Sequence, residues 1–261
     1  MDRLTYIGHS TVLLRLDGLS ILTDPMLRGW LGPLHRQGPK PDSGTASMAD
    51  LVVISHLHRD HLDLPSLRRV PSSTPVVGPQ DAARWAAKGG AENIHEIGAG
   101  ETVSVADVEI TGVRAVHDGY RDGHRGAQIQ ALGYLLRRGG RTVYFAGDTD
   151  LSPEMSELGP VDLALLPIWG WGLSAGQGHL DPDRAARALQ MIQPRVAVPI
   201  HWGTFYPAGL RLLRPDRLTE PPREFARLAG QLAPDVEVRV LEPGSETTLD
   251  WEPGSSSLRS A

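Results

Sequence analysis

The sequence of 261 residues contains no cysteine, and only 5% of its residues are aromatic. The absence of cysteine excludes disulfide bonds, thiolate nucleophiles, iron–sulfur clusters and zinc sites with thiolate ligands. Any transition metal must therefore be held by histidine and carboxylate side chains. Long apolar runs are also missing: residues 163–166 form one of the longest, and a membrane span needs about 20 residues. The sequence therefore predicts no membrane span.

The chain lacks an excess of either charge, since 26 Lys and Arg stand against 31 Asp and Glu for a net charge of −5. A mildly negative chain disfavours stable nucleic-acid binding, and the expected partner is a small-molecule substrate. The first ten residues have neither the basic region nor the apolar stretch of a signal peptide, so the default expectation is a cytoplasmic location. Whether the protein forms a homo-oligomer stays open.

The order of apolar segments and turns predicts strands first, followed by strands that alternate with helices. A loop rich in Gly and Pro is expected over residues 25–46, and helices are expected over 79–88, 182–192 and 223–232, with Asp181 as an N-cap. The predicted strands are residues 4–7, 11–16, 19–23, 51–55, 75–78, 102–105, 108–116, 132–137, 142–146, 162–166, 195–200, 237–241 and 246–249.

This order favours an α/β fold with two sheets, each covered by helices on its outer face. No internal repeat and no Ser/Gly linker divides the chain. We therefore expect one catalytic domain over residues 1–252 and a flexible tail over residues 253–261.

The strongest chemical signal is the cluster of His56, His58, Asp60 and His61, which directly follows the predicted buried strand 51–55. In an extended turn, residues two apart project to the same side, so His56 and His58 can share one metal ion. Asp60 and His61, in the next turn, point toward a second position. The alternative, a polar surface loop without a function, requires four possible metal ligands within six positions by chance.

Four further candidates lie just beyond the ends of predicted strands: His9, His117, Asp148 and His201. Binding groups of open α/β sheets gather at the carboxyl ends of strands, so this placement predicts that the four lie near the 56–61 cluster. Other histidines lack it. His95 enters a short strand, whereas His35 and His124 are expected in loops that could border a cleft.

These residues resemble the metallo-β-lactamase superfamily over nearly the whole chain. The His-x-His-x-Asp-His element is the most specific motif of that superfamily. Further motifs resemble the branch that includes bacterial ascorbate-phosphate lactonase and the N-acyl-phosphatidylethanolamine phospholipase D: residues 8–11 (GHST), 147–149 (GDT), 179–182 (HLDP) and 201–205 (HWGTF). The resemblance implies a four-layer αβ/βα sandwich with a dinuclear site for divalent metal ions at one edge, usually zinc, with manganese as an alternative.

The resemblance also implies which residues hold the metal ions. The expected ligands are His56, His58 and His117 for the first ion, Asp60, His61 and His201 for the second, and Asp148 as a bridge. Asp60 is further expected to orient a hydroxide that is held between the two ions. His179 is expected to bind substrate or protonate the leaving group, with a structural role at the helix start as the alternative. His9 is assigned either a role beside the substrate or a role in the turn.

The predicted function is metal-dependent hydrolysis of a phosphodiester or phospholipid-like substrate by that hydroxide. The same site could instead open a lactone or cleave another small ester or amide, and a non-hydrolytic metal-binding or redox protein of the same fold is a third class. Arg121 and Arg125 could bind an anionic group or simply be solvated. Residues expected to form a partly apolar substrate wall are Trp30, Trp169, Trp171, Trp202 and Phe205.

A competing motif occurs at residues 172–176, where the sequence GLSAG matches the nucleophile elbow of serine hydrolases. That motif requires a strand before it and a helix directly after it. The flanking residues WGW and QG provide neither, so the sequence disfavours a serine hydrolase.

Overall fold

The computed structural model describes residues 1–119, 129–169 and 178–251. The strands in chain order are β1 (Asp2–Gly8), β2 (Thr11–Leu16), β3 (Leu19–Thr23), β4 (Trp30–Leu31), β5 (Leu34–Arg36), β6 (Leu51–Val53), β7 (Val76–Gly78), β8 (Ile94–Glu96), β9 (Thr102–Val105), β10 (Val108–Asp118), β11 (Gln130–Arg138), β12 (Arg141–Phe145), β13 (Leu163–Pro167), β14 (Val196–Ile200), β15 (Phe205–Pro207), β16 (Glu237–Val238) and β17 (Glu246–Leu249).

The α-helices are α1 (Leu64–Leu67), α2 (Ala82–Lys88), α3 (Pro182–Ile192), α4 (Leu210–Leu213) and α5 (Glu220–Leu232), and short 3-10 helices span Ala46–Met48, Pro153–Glu157 and Pro215–Leu218. Helix α3 begins where the sequence predicts, because the Asp181 carboxylate accepts the backbone N–H of Arg184 at 2.8 Å. None of the five α-helices in the described parts of the chain reaches the length and apolarity that a transmembrane helix requires.

Two seven-stranded sheets form the centre of the fold, with the strand orders β17-β1-β2-β3-β6-β7-β8 and β16-β14-β13-β12-β11-β10-β9. Each sheet has an antiparallel part and a parallel part. In the first sheet β3, β6, β7 and β8 run parallel, and in the second sheet β12, β13, β14 and β16 do so. The inner parallel strands β6, β7, β13 and β14 are short, apolar and fully buried, as expected for strands that are covered on both faces.

The two sheets pack face to face, and helices cover their outer faces. One buried cluster joins Leu14 of the first sheet to Phe145 of the second and continues to Leu189 and Phe225 of the outer helices α3 and α5. A second cluster packs Ile54, beside the first sheet, against α1 and α2. The resulting order of helices, sheet, sheet and helices confirms the predicted four-layer α/β sandwich.

A third sheet was not expected from the sequence. Strands β15, β5 and β4 pair in that order, so the predicted loop 25–46 contains two strands, and His35 lies in β5 rather than in a loop. The β5–β15 pairing joins residues far apart in the chain, such as Arg36 and Phe205. No local pattern of two or three residues could have predicted this pairing.

Smaller differences concern where elements begin and end. Helix α2 begins at Ala82 rather than at residue 79, because Asp81 has a left-handed backbone with φ of 68°. Strand β16 ends at Val238, and β10 continues to Asp118, so that His117 lies within the strand. Several residues singled out in the sequence lie outside the described residues: Arg121, His124, Arg125, Trp171, the motif at 172–176 and the tail 253–261.

Candidate metal site

Three histidines form one group of candidate ligands at the strand ends. Nε2 of His56 lies 2.8 Å from Nδ1 of His58, and Nε2 of His117 lies 3.3 Å from the same atom. His56 follows β6 and His117 lies near the end of β10, so the two central sheets each contribute to the group. The structure therefore brings together the three side chains that the resemblance assigns to a first metal ion.

The second group contains His9, Asp60, His61 and His201, whose ligand atoms all lie within 4.8 Å of one another. Nε2 of His9 lies 3.0 Å from Oδ2 of Asp60, and Nε2 of His61 lies 3.6 Å from that oxygen. The resemblance assigns Asp60, His61 and His201 to a second metal ion. The structure adds His9 to this group.

Asp148 joins the two groups. Its Oδ2 lies 3.3 Å from Nε2 of His61, 3.4 Å from Nε2 of His201 and 3.5 Å from Nε2 of His179. Asp148 also groups with His117 and His179 in a third set of atoms that could hold an ion. A carboxylate in this position can contribute to both candidate metal positions, as expected for a bridging ligand.

The donor atoms fit a bound divalent ion. A tetrahedral ion with bonds of about 2.0–2.1 Å places its ligand atoms about 3.3–3.4 Å apart, which matches the distances from Asp148 to His61 and His201. Among the described residues, the buried atoms Nε2 of His61 and Oδ1 of Asp148 have no hydrogen-bond partner. Buried polar atoms normally have a partner, and a metal ion would supply one. Imidazole and carboxylate ligands suit zinc, manganese and iron.

The imidazole of His61 contacts a carboxylate, Asp24, that the sequence analysis did not identify. The fully buried carboxylate of Asp24, just after β3, lies 2.7 Å from Nδ1 of His61. The same carboxylate accepts the backbone N–H of Ser55 at 2.7 Å and its hydroxyl at 2.5 Å. This arrangement presents Nε2 of His61 to the site, in the manner of the outer carboxylates that orient metal-binding imidazoles. An Asp just past an apolar strand was the available signal.

His117 is oriented through a second carboxylate that sequence reasoning missed. Nδ1 of His117 lies 2.8 Å from the carbonyl oxygen of Gly178. Asp150 accepts the backbone N–H of Gly178 at 3.1 Å and the guanidinium of Arg184 at 2.8 Å through both oxygens. Since Asp150 and Arg184 fix Gly178, they also fix the ring orientation of His117.

His9 and His201 lie on tight turns with left-handed backbones, with φ of 60° and 62°. The backbone N–H of His201 donates to the carbonyl of His9 at 2.8 Å, and the backbone N–H of His9 donates to the Thr204 hydroxyl at 2.7 Å. Non-glycine residues with such backbones are uncommon and concentrate at functional sites. The turns place the two imidazole rings 3.9 Å apart.

Gly147, directly before Asp148, allows a close approach of the two central sheets. It has φ of 60°, and a Cβ atom at this position would lie 2.4 Å from Cβ of Ser55. Only glycine avoids both the unfavourable backbone and the steric clash. The approach brings Asp148 beside the 56–61 cluster.

The charge states of the first group suit metal binding. Burial lowers the pKa of His117 to about 4 and, together with nearby His61 and His117, holds the pKa of His56 well below its usual range. Burial also lowers the pKa of His58. These three imidazoles are therefore neutral at pH 7, which is the form that coordinates metals.

At Asp148 and His61, neighbouring groups of opposite charge outweigh the effect of burial on the pKa. Burial opposes the ionised form of Asp148, but His201, His61 and His179 outweigh it and hold the pKa of the carboxyl well below its usual range. Burial likewise opposes the charged form of His61, but Asp148, Asp60 and Asp24 raise its pKa well above 6.5. Ionised carboxylates in a buried site require compensating positive charge, which these imidazoles or a bound cation provide.

The aromatic residues divide into two sets. Trp202 and Phe205 are buried, and they pack beneath His9 and β1 rather than face solvent. The backbone carbonyl of Trp169 lies 2.7 Å from Nδ1 of His201 and so supports that ring. Trp30, by contrast, is 56% exposed.

His95 lies in β8, as predicted.

Comparison with known proteins agrees with the geometry of the site. Residues 20–202 match the family model described as a beta-lactamase superfamily domain. A UPF0173 metal-dependent hydrolase of Methanopyrus kandleri is 36% identical over 248 residues, which cover 93% of this chain and 97% of that protein.

Solved structures show the same fold. A metallo hydrolase of Ignicoccus hospitalis, Igni18, has a TM-score of 0.74 and 28% identity, with 96% of this chain and 99% of that chain covered. CmlA, a diiron beta-hydroxylase of Streptomyces venezuelae, has a TM-score of 0.72 at 19% identity and covers 95% of this chain and 54% of its own. The fold therefore occurs with both hydrolytic and oxidative chemistry. This chain belongs to the UPF0173 metal-dependent hydrolase family within the metallo-β-lactamase superfamily.

Proposed function

We propose that this metal-dependent hydrolase is dinuclear, with His56, His58 and His117 on one ion, Asp60, His61 and His201 on the other, and Asp148 between them. The supporting observation is the position of Asp148, whose Oδ2 lies within 3.5 Å of Nε2 atoms of His61, His201 and His179. Zinc is the proposed ion, and manganese is an alternative with the same ligand types.

The chain's own residues supply positioning and proton transfer. When bound, divalent ions lower the pKa of a water molecule to near neutrality and polarise the bond that is cleaved. His9, at 3.0 Å from Asp60, fixes the orientation of that carboxylate. Burial and the neighbouring His201 lower the pKa of His9 to about 3, so it is neutral at pH 7. His179 is partly exposed beside Asp148, where its imidazole can bind substrate or protonate a leaving group.

The proposed substrate is a small phosphodiester or phospholipid-like molecule. The support is the resemblance of residues 8–11, 147–149, 179–182 and 201–205 to the branch that contains the ascorbate-phosphate lactonase and the phospholipase D. A lactone or another small ester is the second candidate, because the same ligand set also activates water for attack on a carbonyl. The diiron β-hydroxylase with this fold makes an oxidative reaction the alternative of another class.

The experiment compares bis(p-nitrophenyl) phosphate with a panel of lactones, using protein loaded with zinc or manganese. We expect phosphodiester turnover that chelation abolishes and that Asp60→Ala reduces by at least about 100-fold while the fold is retained. Asp183→Asn, on the exposed face of α3, is the control and should retain full activity. Strong lactone turnover without phosphodiester turnover would transfer the proposal to the second candidate.

A further inference from the structure

An open pocket lies next to the 56–61 cluster, and none of its lining residues is a proposed metal ligand. Its volume is about 780 Å³, and its lining includes Arg28, Trp30, Arg59, Asp63, Arg68 and Trp85. This volume lies within the range of about 300–1,000 Å³ that is usual for small-molecule sites. Arg59 is the residue between His58 and Asp60, so the wall of the pocket is continuous with the loop that carries the candidate ligands.

The walls of this arginine–tryptophan pocket are fixed by hydrogen bonds. Arg28 donates to both oxygens of the Asp63 carboxylate, with distances of 2.6–3.1 Å. Asp63 also accepts the backbone N–H of Ser66 at 3.0 Å, which caps α1. Because Asp63 joins Arg28 to α1, these hydrogen bonds connect the two sides of the pocket.

Arg36 fixes the hairpin that carries Trp30. Its guanidinium donates to the backbone carbonyls of Ile7 at 3.1 Å, Met26 at 2.6 Å and Arg28 at 3.0 Å. These bonds join β5 to β1 and to the segment before β4. The hairpin is therefore anchored to the first central sheet.

The lining combines positive charge with aromatic surface. The lining contains three arginines, Arg28, Arg59 and Arg68, and one carboxylate, Asp63, which leaves an excess of two positive charges. The Arg28 guanidinium lies 4.8 Å from the ring centroid of Trp30. Trp85 has a similar contact, because the Lys88 ammonium lies 4.1 Å from its ring centroid. Arginine forks bind phosphate and carboxylate groups, and indole rings bind apolar or planar groups.

We propose that this pocket binds an anionic organic group of the substrate, with the charge on the arginines and an apolar or aromatic body against Trp30 and Trp85. The inference rests on the proposed hydrolase function and assigns its substrate class. Arg59, which lines the pocket, lies between two candidate metal ligands in the chain, so the proposed substrate has its anionic group in the pocket and its cleavable bond at the metal site. The pocket thus selects substrates with an anionic group remote from the cleaved bond.

The test measures binding of naphthalene-1-sulfonate, which has an anionic group, an aromatic body and no bond that this hydrolase would cleave. Isothermal titration calorimetry measures binding to the metal-loaded protein. Two further probes are sulfate, which lacks the aromatic body, and 1-naphthalenemethanol, which lacks the anionic group. The variants are Arg68→Gln and Trp30→Leu. Arg69→Gln is the matched control, because Arg69 is the adjacent exposed arginine, is absent from the pocket lining and donates to the Leu27 carbonyl instead.

We expect saturable binding of the sulfonate that Arg68→Gln and Trp30→Leu each weaken by about 5-fold or more. Arg69→Gln should leave it unchanged, and sulfate or the neutral alcohol alone should bind far more weakly. Equal affinities in wild type, Arg68→Gln and Trp30→Leu, or no saturable binding, would overturn the proposal.

Turnover of bis(p-nitrophenyl) phosphate, measured on the same samples, distinguishes a failure of the pocket proposal from a failure of the proposed function. Metal-dependent turnover without sulfonate binding overturns the pocket and leaves the hydrolase proposal intact. Sulfonate binding that depends on Arg68 and Trp30, without turnover of the phosphodiester, supports the pocket and overturns the proposed phosphodiester substrate.

Discussion

The carboxylate of Asp24 lies 2.7 Å from Nδ1 of His61, although the two residues are 37 positions apart in the chain. Both side chains are fully buried. Asp24 also accepts two hydrogen bonds from Ser55, so its position is fixed from two directions. The candidate metal site therefore has an outer layer of hydrogen bonds that orients His61.

Replacing Asp24 by Asn keeps the shape of the side chain but removes its charge. We expect Asp24→Asn to weaken metal binding by about 10–100-fold, because outer carboxylates orient the ligand and increase its basicity. Competition with a chromophoric chelator measures the affinity. Asp50→Asn is the matched control, since Asp50 also accepts a backbone N–H near a strand end, from Ser20. An unchanged affinity in Asp24→Asn would contradict the assigned role.

Asp150 should influence metal binding without touching the metal. Asp150→Asn weakens the ion pair with Arg184 and the hydrogen bond from the backbone N–H of Gly178. The carbonyl of Gly178 orients His117. We expect metal affinity to fall by about 10-fold. The control is Asp183→Asn, which breaks the exposed pair of Asp183 and Arg187 on α3. If both variants bind metal like wild type, the orientation of His117 does not depend on Asp150.

Two glycine substitutions separate backbone strain from steric clash. Gly147 and Gly140 both have positive φ, but a Cβ at Gly140 meets no atom within 4 Å, whereas at Gly147 it would lie 2.4 Å from Cβ of Ser55. Gly140→Ala should cost about 1–2 kcal/mol of unfolding free energy from the backbone alone. Gly147→Ala should cost about 1–3 kcal/mol more from overpacking. Urea denaturation measures both, and equal losses would show that the two sheets do not constrain residue 147.

Removing the metal should reduce stability through mass action. An ion present at 1,000 times its dissociation constant stabilises the folded state by about 4 kcal/mol. Chelation should therefore lower the Tm of the wild type and change the Tm of Asp148→Asn much less, because that variant lacks the proposed bridging carboxylate. Thermal unfolding with and without chelator gives the comparison. An equal decrease in both proteins would indicate that metal binds elsewhere.

Much of the fold and site was predictable because its signals are local. The central strands have continuous apolar runs, Asp181 and Pro182 mark the start of α3, and the 56–61 cluster is contiguous in sequence. Placement just past strand ends correctly predicted that His9, Asp148 and His201 would join that cluster.

The parts that could not be predicted depend on tertiary contacts. Asp24 and Asp150 acquire roles only from side chains that the fold brings to them, and the position of Asp24 just past a strand does not by itself identify such a role. The third sheet joins two-residue and three-residue strands from distant parts of the chain. The one-turn helices α1 and α4 are too short for an amphipathic period to appear.

The most direct test of the central claim is elemental analysis of the protein after gentle purification, combined with its activity. The account predicts about two divalent ions per chain, loss of hydrolysis on chelation with recovery on reloading, and a marked loss of bound metal in Asp148→Asn. A protein that is free of metal and yet fully active would contradict it.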